Sequence, residues 1–394
     1  MQQLEGRLIC AASDLNDYLE CKRLTELEFL VARGELPRSD ADDPQAELLR
    51  RKGDEHERRH LETLRRLHSG NVVEFARAGS GIDAYREAER RTLEAMQRGV
   101  PIIYQATFFD GRFIGHADFL RRVPAPSNLG DYSYEVIDTK LGLNAKPYYI
   151  VQLCNYSEHL ERLQGRMPDF GHIVFGDGAE KRFLLRDYLA YYRRLKSRFL
   201  TFVERAESQR MDRPREYPFE CGHCRICPWD DACERQRRDD DHLSLVAWIR
   251  RDQIGKLEDA GLTSVTQLAG AADDRRPTGM TLEIFAKLRR QADLQVRARS
   301  STEPIYELIR HEPPLGFALL PQPATGDVFF DMEGDPLFEP GRGLEYLFGC
   351  WMPDDEQRSC AFWGVDRLAE KRAFEEFVDF ISDRRRRYPE MHVY

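Results

Sequence analysis

Along the first 210 residues the spacing of apolar positions changes repeatedly between helical and strand-like, which predicts an α/β domain. Two apolar and aromatic runs flank Asp110-Gly111, an arrangement typical of a β-hairpin. Segments in which apolar residues recur every three or four positions lie before and after the predicted strands, as in amphipathic helices. The predicted helices are 45–68, 86–98, 146–163 and 187–207, the predicted strands are 102–109, 112–123, 132–140, 172–175 and 181–185, and residues 1–40 are expected to be helical and peripheral.

The pattern changes after Asp239, where helix-like segments alternate with glycine turns. A helix that ends at Gly261 and another that starts near Thr263 or Ser264 predict a helical hairpin. Clustered prolines then indicate a linker, and the chain ends in what looks like the middle of a strand, so we expect an incomplete final domain. Strands are predicted at 328–332, 345–351 and 359–363 and a helix at 367–384, and the predicted domains are 1–237, 238–312 and 322–394.

Composition narrows the class of protein. The 394 residues include 59 Lys and Arg against 68 Asp and Glu, a net charge of -9, with 41% hydrophobic and 32% charged residues. This mixture suits globular domains, and the acidity argues against a protein that coats nucleic acid without specificity, although local basic clusters leave room for a nuclease. The longest apolar runs are too short to cross a bilayer and no secretory signal follows Met1, so we expect a cytoplasmic protein with no membrane association.

Candidate chemistry first emerges in two of the predicted strands. Residues i and i+2 share a face of a strand, so Asp138 lies beside Lys140 on one strand and His116 beside Asp118 on the other. If these strands are neighbours, two carboxylates and a lysine converge. Such a group suits metal-dependent hydrolysis of phosphodiesters, because carboxylates hold Mg²⁺ and the metal activates a water. An isolated Asp-x-Lys is more often an exposed ion pair, so the accompanying motifs decide.

Four segments stand in a fixed order: Gly53-Asp-Glu-His-Glu57 on a predicted helix, Gly115-His-Ala-Asp118 and Asp138-Thr-Lys140 on strands, and Gln152-Leu-Cys-Asn-Tyr156 on the next helix. Together they resemble the RecB-type branch of the PD-(D/E)xK nuclease superfamily. The resemblance implies a restriction-endonuclease-like α/β fold, a mixed sheet flanked by helices.

The same resemblance implies roles for individual residues. His56, Asp118 and Asp138 would bind Mg²⁺ or Mn²⁺, with Glu57 as the alternative ligand from the helix. Lys140 would be the catalytic lysine, and Gln152 and Tyr156 would organise the site or contact DNA. Simpler alternatives stay open for two of the aromatic side chains in these segments: His116 as a packed or surface histidine and Tyr156 as a core residue.

The nine cysteines are unevenly distributed, with four of them between residues 221 and 233. A dense cluster in a large protein without secretion signals indicates a metal or iron–sulfur site rather than disulfides. In the iron–sulfur members of the family one cysteine precedes the nuclease core and three follow it, which implies a [4Fe–4S] cluster on Cys21, Cys224, Cys227 and Cys233. Zn²⁺ on Cys221, Cys224, Cys227 and Cys233, with or without His223, is the alternative. Cys221 would be surplus to the iron–sulfur set, and Cys10, Cys154, Cys350 and Cys360 are expected to be ordinary buried thiols.

The remaining segments resemble other nucleic-acid modules. Residues 245–300 resemble a helix-hairpin-helix unit, although a plain helical packing unit fits the pattern equally well. Asp331 and Glu333 are expected on one face of a buried strand, which resembles the first strand of RNase H-like, DEDD-type exonucleases and implies a second, incomplete metal site. The alternative is an acidic turn that faces solvent.

These resemblances together imply a metal-dependent DNA nuclease, an exonuclease on single strands or DNA ends in repair or processing, working with a fused or separate helicase. Two rivals stay open at this point. One is a noncatalytic DNA-binding scaffold of a repair complex, and the other is an RNA-processing nuclease.

Overall fold

The computed structural model describes residues 1–38, 44–209, 211–309 and 315–394. In these ranges the chain is a mixed α/β protein with eleven α-helices, an eight-stranded mixed sheet and a three-stranded antiparallel sheet. No described helix combines the length and the apolar composition that crossing a bilayer requires. The strands are β1 (Gln2–Leu4), β2 (Arg7–Ala11), β3 (Val72–Glu74), β4 (Ile102–Phe109), β5 (Phe113–Val123), β6 (Ser133–Thr139), β7 (Phe170–Val174), β8 (Glu180–Leu184), β9 (Phe329–Glu339), β10 (Arg342–Trp351) and β11 (Ser359–Trp363).

The helices flank these strands at nearly the predicted places. They are α1 (Ala12–Glu20), α2 (Lys22–Ala32), α3 (Pro44–Leu67), α4 (Ile82–Gln97), α5 (Pro147–Gln164), α6 (Leu189–Ser208), α7 (Asp230–Asp239), α8 (Arg251–Asp259), α9 (Val265–Ala269), α10 (Leu282–Ala298) and α11 (Arg367–Arg387). Local signals mark the ends of two of these helices. Pro147 opens α5, Gly165 closes it at φ 68°, and the Ser264 side chain caps α9.

Strand β5 organises the large sheet. One edge pairs antiparallel with β4 through the predicted hairpin. The other edge pairs with β2 at residues 113–114 and with β6 at residues 119–123. Residues 115–118 therefore have a strand neighbour on one side only, and the sheet is open between β2 and β6. Strands β7 and β8 extend the sheet beyond β6.

The expectation that residues 1–40 are helical is wrong for the first eleven. The chain instead turns at Glu5-Gly6, where both residues have positive φ, and forms the hairpin of β1 and β2. Ile9 and Cys10 are buried, because β2 lies parallel to β5 inside the sheet. A run of only five apolar residues does not distinguish a buried strand from a helix.

The expectation that Asp331 and Glu333 lie on a buried strand is also wrong, since both are exposed. Strand β9 is an edge strand, and α11 covers one of its faces, where the rings of Phe330 and Phe377 stack at 4.2 Å. Because faces alternate along a strand, residues 331 and 333 project away from α11.

The buried residues form several apolar clusters. The largest lies between the eight-stranded sheet and helices α1, α4, α5 and α6; another is formed by buried residues between Leu243 and Ala292; a third lies between Val328 and Met391. The domain limits themselves stay predictions.

Candidate functional site

Two carboxylates and one amine meet at the opening in the large sheet. The Asp118 carboxylate accepts hydrogen bonds from the backbone N–H and the hydroxyl of Thr139, both at 2.8 Å. Lys140 Nζ lies 2.5 Å from Asp138 Oδ2, and the Asp118 carboxylate is close enough to raise the pKa of Asp138. Strands β5 and β6 are neighbours, so Asp118, which bonds to Thr139, lies next to the segment that carries Asp138 and Lys140, as the i, i+2 pattern predicts.

The electrostatics of this group follow from burial. The Asp138 side chain is 1% exposed, and its burial raises its pKa to about 7, with Asp118 adding to the rise and Lys140 opposing it. Burial alone would lower the pKa of Lys140, but the carboxylates of Asp138 and Asp118 outweigh it and raise that pKa. Two carboxylates beside one ammonium leave an uncompensated negative charge in a buried place, which favours either a proton or a bound cation.

Helix α5 brings an amide and a phenol to the same place. Gln152 Nε2 donates to Asp138 Oδ1 at 3.4 Å and to the Tyr156 hydroxyl at 3.0 Å. Tyr156 is 7% exposed, and its ring lies against Gly115 of β5, where a methyl group would come within 3.0 Å of two ring carbons. The glycine of the Gly-x-x-Asp segment and the tyrosine of the Gln-x-x-x-Tyr segment are therefore in direct contact.

Helix α3 supplies the two candidate ligands in different settings. The Glu57 carboxylate interacts with Asp118, and burial followed by this carboxylate raises the pKa of Glu57. His56 is buried too, but its Nε2 lies 3.1 Å from the carbonyl oxygen of Val174 on β7. Glu57 is thus close enough to Asp118 for that carboxylate to raise its pKa. His116 Nδ1 lies 3.2 Å from the hydroxyl of Thr107, its cross-strand partner.

Gln105 is a site residue that the sequence analysis missed. It is buried in the middle of β4 with φ 57°, and the flanking register pairs place it opposite Asp118. Its Nε2 donates to Glu57 Oε1. A positive φ strains a residue with a side chain, and such strain concentrates at functional sites. No signal in a single sequence marks this position.

Tyr149 is a second missed residue, and here a signal existed. The Lys140 amine lies 5.4 Å from the centre of its ring. Tyr149 precedes Gln152 by three positions on α5, so helical spacing places the two on one face.

The donor set fits a hard divalent cation. In the described ranges no three His, Cys, Asp or Glu side chains are already gathered as a complete metal-binding set. Mg²⁺ does not need one, because it retains several waters and is commonly held by one or two carboxylates together with substrate phosphates. Asp118 and Asp138 supply such a pair, and Glu57 provides a further oxygen donor near it.

The thiols form a second candidate site. Cys21, between α1 and α2, lines one pocket together with Cys221, Cys224, Cys227 and Cys233. Cys221, expected to be surplus, is among them, and its Sγ lies 3.9 Å from that of Cys224.

Contacts beyond the cysteines also join the N-terminal helices to the later segment. The Arg23 guanidinium donates to the Glu216 carbonyl oxygen and to Gln236 Oε1, each at 2.7 Å, and Trp229 Nε1 donates to Glu28. The pocket is therefore formed by two distant parts of the chain, as a clamp between first and last segments requires.

In the described part of the chain these thiols are not gathered as a complete metal-binding set either, but their chemistry fits a soft metal centre. Burial raises the pKa of Cys224 to about 12 and of Cys227 to about 11, so both are protonated at neutral pH until a cation binds. The Cys221–Cys224 separation is close to the roughly 3.8 Å expected between two sulfurs on one tetrahedral zinc. The inclusion of Cys21 is the feature that the iron–sulfur prediction requires. Both metals stay open.

The two predicted helices form, with α8 ending at Asp259, Gly261 turning at φ 74° and α9 beginning at Val265. The Arg275 guanidinium donates to the carbonyl oxygens of Ala260 and Gly261 in this turn. A role in DNA contact stays a prediction.

Comparison with models of known protein families, and with curated proteins, finds no match for this chain.

Proposed function

We propose that the chain is a metal-dependent DNA nuclease of the RecB-like type, with a restriction-endonuclease-like first domain. The observation that supports it is the meeting of Asp118, Asp138 and Lys140 at the opening of the sheet, next to Gln152. Asp118 and Asp138 would hold Mg²⁺ or Mn²⁺, and the cation would polarise the scissile phosphate and lower the pKa of a water. Glu57 is the favoured third ligand and His56 its alternative.

The other residues would support that chemistry. The Lys140 ammonium is fixed between Asp138 and the Tyr149 ring, where it supplies positive charge for the attacking water or the phosphate oxygens. Gln152 holds the Asp138 carboxylate in place. The thiol pocket would hold a [4Fe–4S] cluster, or Zn²⁺, that fastens the first and last segments of the domain. The proposed substrate is DNA, as single strands or ends, and the proposed setting is cytoplasmic DNA repair with a helicase as partner.

Cleavage of end-labelled oligonucleotides in Mg²⁺, Mn²⁺ or EDTA tests the proposal. Lys140→Ala and Asp138→Ala should each lower the rate about 100-fold or more, the typical loss when one electrostatic group of an active site is removed. Lys181→Ala, an exposed lysine on β8, is the matched control and should cleave as the wild type does. Unchanged cleavage by Lys140→Ala would reject the assignment.

The same assay separates the rivals. A noncatalytic scaffold would bind DNA and cleave nothing in any metal. An RNA-processing nuclease would prefer RNA and would lose activity in Asp331→Ala rather than in Lys140→Ala.

A further inference from the structure

A wide groove runs along the outer side of α6, opposite α1 and α2. Its volume is about 960 Å³, and the residues that line it include Tyr18 and Lys22 on one wall and Tyr191, Arg194 and Arg198 on the other. We call it the α6 groove. None of the residues of the carboxylate site or of the thiol pocket lines it.

The α6 groove is basic although the chain is acidic. Five cationic side chains line it against two carboxylates, Glu26 and Glu216, while the whole chain carries a net charge of -9. Glu26 Oε2 is already engaged, because it accepts hydrogen bonds from the backbone N–H groups of Arg215 and Glu216, both at 2.9 Å. The five cations are Lys22, Arg194, Arg198, Arg205 and Arg215.

Three of these cations form a stripe on α6. Tyr191, Arg194, Arg198 and Arg205 follow one another at spacings of three, four and seven residues, which place them on one face of a helix. The helix rises 1.5 Å per residue, so the distance along it from Tyr191 to Arg205 is about 21 Å. Aromatic rings accompany it: Tyr191 is 54% exposed, and Tyr18, half-buried against Phe199 and Phe202, lines the facing wall.

Neighbouring carboxylates do not neutralise the charge of the stripe. Within the described ranges, Arg194, Arg198 and Arg205 form no ion pair, and Arg194 and Arg198 are four residues apart, a spacing at which like charges destabilise a helix. A bound polyanion would offset that repulsion.

We propose that the α6 groove binds the backbone of a single-stranded polynucleotide, with the arginines on phosphates and the tyrosines against bases. Sites that hold single strands without sequence preference combine a positive groove with aromatic rings on which bases stack. The inference rests on the proposed nuclease function, to which it adds a surface that holds the substrate strand.

The test is equilibrium binding of a fluorescent 20-nucleotide oligo(dT) to the full chain in EDTA, so that no cleavage occurs. Arg194→Ala, Arg198→Ala and Arg205→Ala should each weaken binding about two- to fivefold, and the triple variant tenfold or more. Each lost phosphate contact should reduce the slope of log affinity against log salt by about 0.7. Arg193→Ala is the matched control, because Arg193 is exposed on the same helix and does not line the groove.

The outcomes separate this inference from the proposed function. If the triple variant binds with unchanged affinity and salt slope, or if Arg193→Ala weakens binding equally, the groove assignment is overturned, even where the wild type cleaves DNA. Lost binding in the groove variants supports it, even where Lys140→Ala leaves cleavage unchanged. An oligo(rU) arm distinguishes DNA from RNA, and a wild type that binds neither would overturn the proposal. A melting temperature in Arg198→Ala equal to or above that of the wild type shows that the variant folds.

Discussion

Replacing Gly115 by Ala should disturb the candidate site without changing any polar group in it. The added methyl would lie 3.0 Å from both Cδ1 and Cε1 of Tyr156 and 3.5 Å from Phe108, whereas ordinary contacts of this kind are 3.4–4 Å. The Tyr156 ring has little freedom to retreat, because it is buried and its hydroxyl is bonded to Gln152. The ring must therefore shift by a few tenths of an ångström, and Gln152 with it.

Two opposing effects determine how much Gly115→Ala changes the free energy of unfolding. Overpacking a filled site costs about 1–3 kcal/mol. Gly→Ala at a position that tolerates a side chain stabilises by about 0.4–1 kcal/mol through the unfolded chain, and Gly115 does not have a positive φ. The net loss should therefore be on the order of 1–2 kcal/mol, or roughly 2–8 °C in the melting temperature of a domain of this size.

A double-mutant cycle measured by denaturant unfolding isolates the contact. Tyr156→Ala alone should cost about 3–5 kcal/mol. In the Tyr156→Ala variant, Gly115→Ala should stabilise the protein slightly, because the ring that its methyl group would contact is absent. Gly53→Ala on α3, where nothing lies within 4 Å of the added methyl, is the control and should stabilise. If Gly115→Ala costs the same with and without the ring, the packing argument is refuted.

Three further predictions follow from the metal and thiol sites. The apparent affinity for Mn²⁺ should fall about tenfold per pH unit below pH 7 and level off above it. The reason is that burial raises the pKa of Asp138 to about 7, so the cation must displace that proton. Titration calorimetry measures this affinity, and a value that does not change with pH would refute the prediction. Gln105→Gly should relieve the strain at φ 57° and leave the free energy of unfolding nearly unchanged. It should nevertheless weaken Mn²⁺ binding about 10–100-fold, because Glu57 loses its hydrogen bond from Gln105. An Mn²⁺ affinity equal to that of the wild type would show that Gln105 does not position Glu57. Anaerobically purified Cys21→Ser should lose iron and visible absorption while Cys360→Ser retains both, and a colourless wild type with one Zn²⁺ per chain would decide for zinc.

Local signals predicted most of the first domain. The Asp110-Gly111 turn determines the β4–β5 hairpin within a few residues, since Gly111 adopts φ 91° and the Asp110 carboxylate accepts from the backbone N–H groups of Arg112 and Phe113. The i, i+2 rule then places Asp138 beside Lys140. These features depend on neighbours in sequence, so a single sequence reveals them.

Features that depend on distant contacts were not predictable in the same way. The hairpin of β1 and β2 forms because β5 offers a free edge, which the first eleven residues do not reveal. The exposure of Asp331 follows from which face of β9 is covered by α11. The different settings of His56 and Glu57 follow from the tertiary positions of Val174 and Gln105, and adjacent helical residues give no sign of that choice.

A crystal structure grown with Mn²⁺ tests the central claim most directly, because the anomalous signal of the ion locates it without reference to activity. The account predicts an ion between the carboxylates of Asp118 and Asp138, with the Lys140 amine nearby and water on the open side. An ion bound elsewhere, or no ion at saturating Mn²⁺ while these carboxylates stay paired to Lys140 and Thr139, would contradict it.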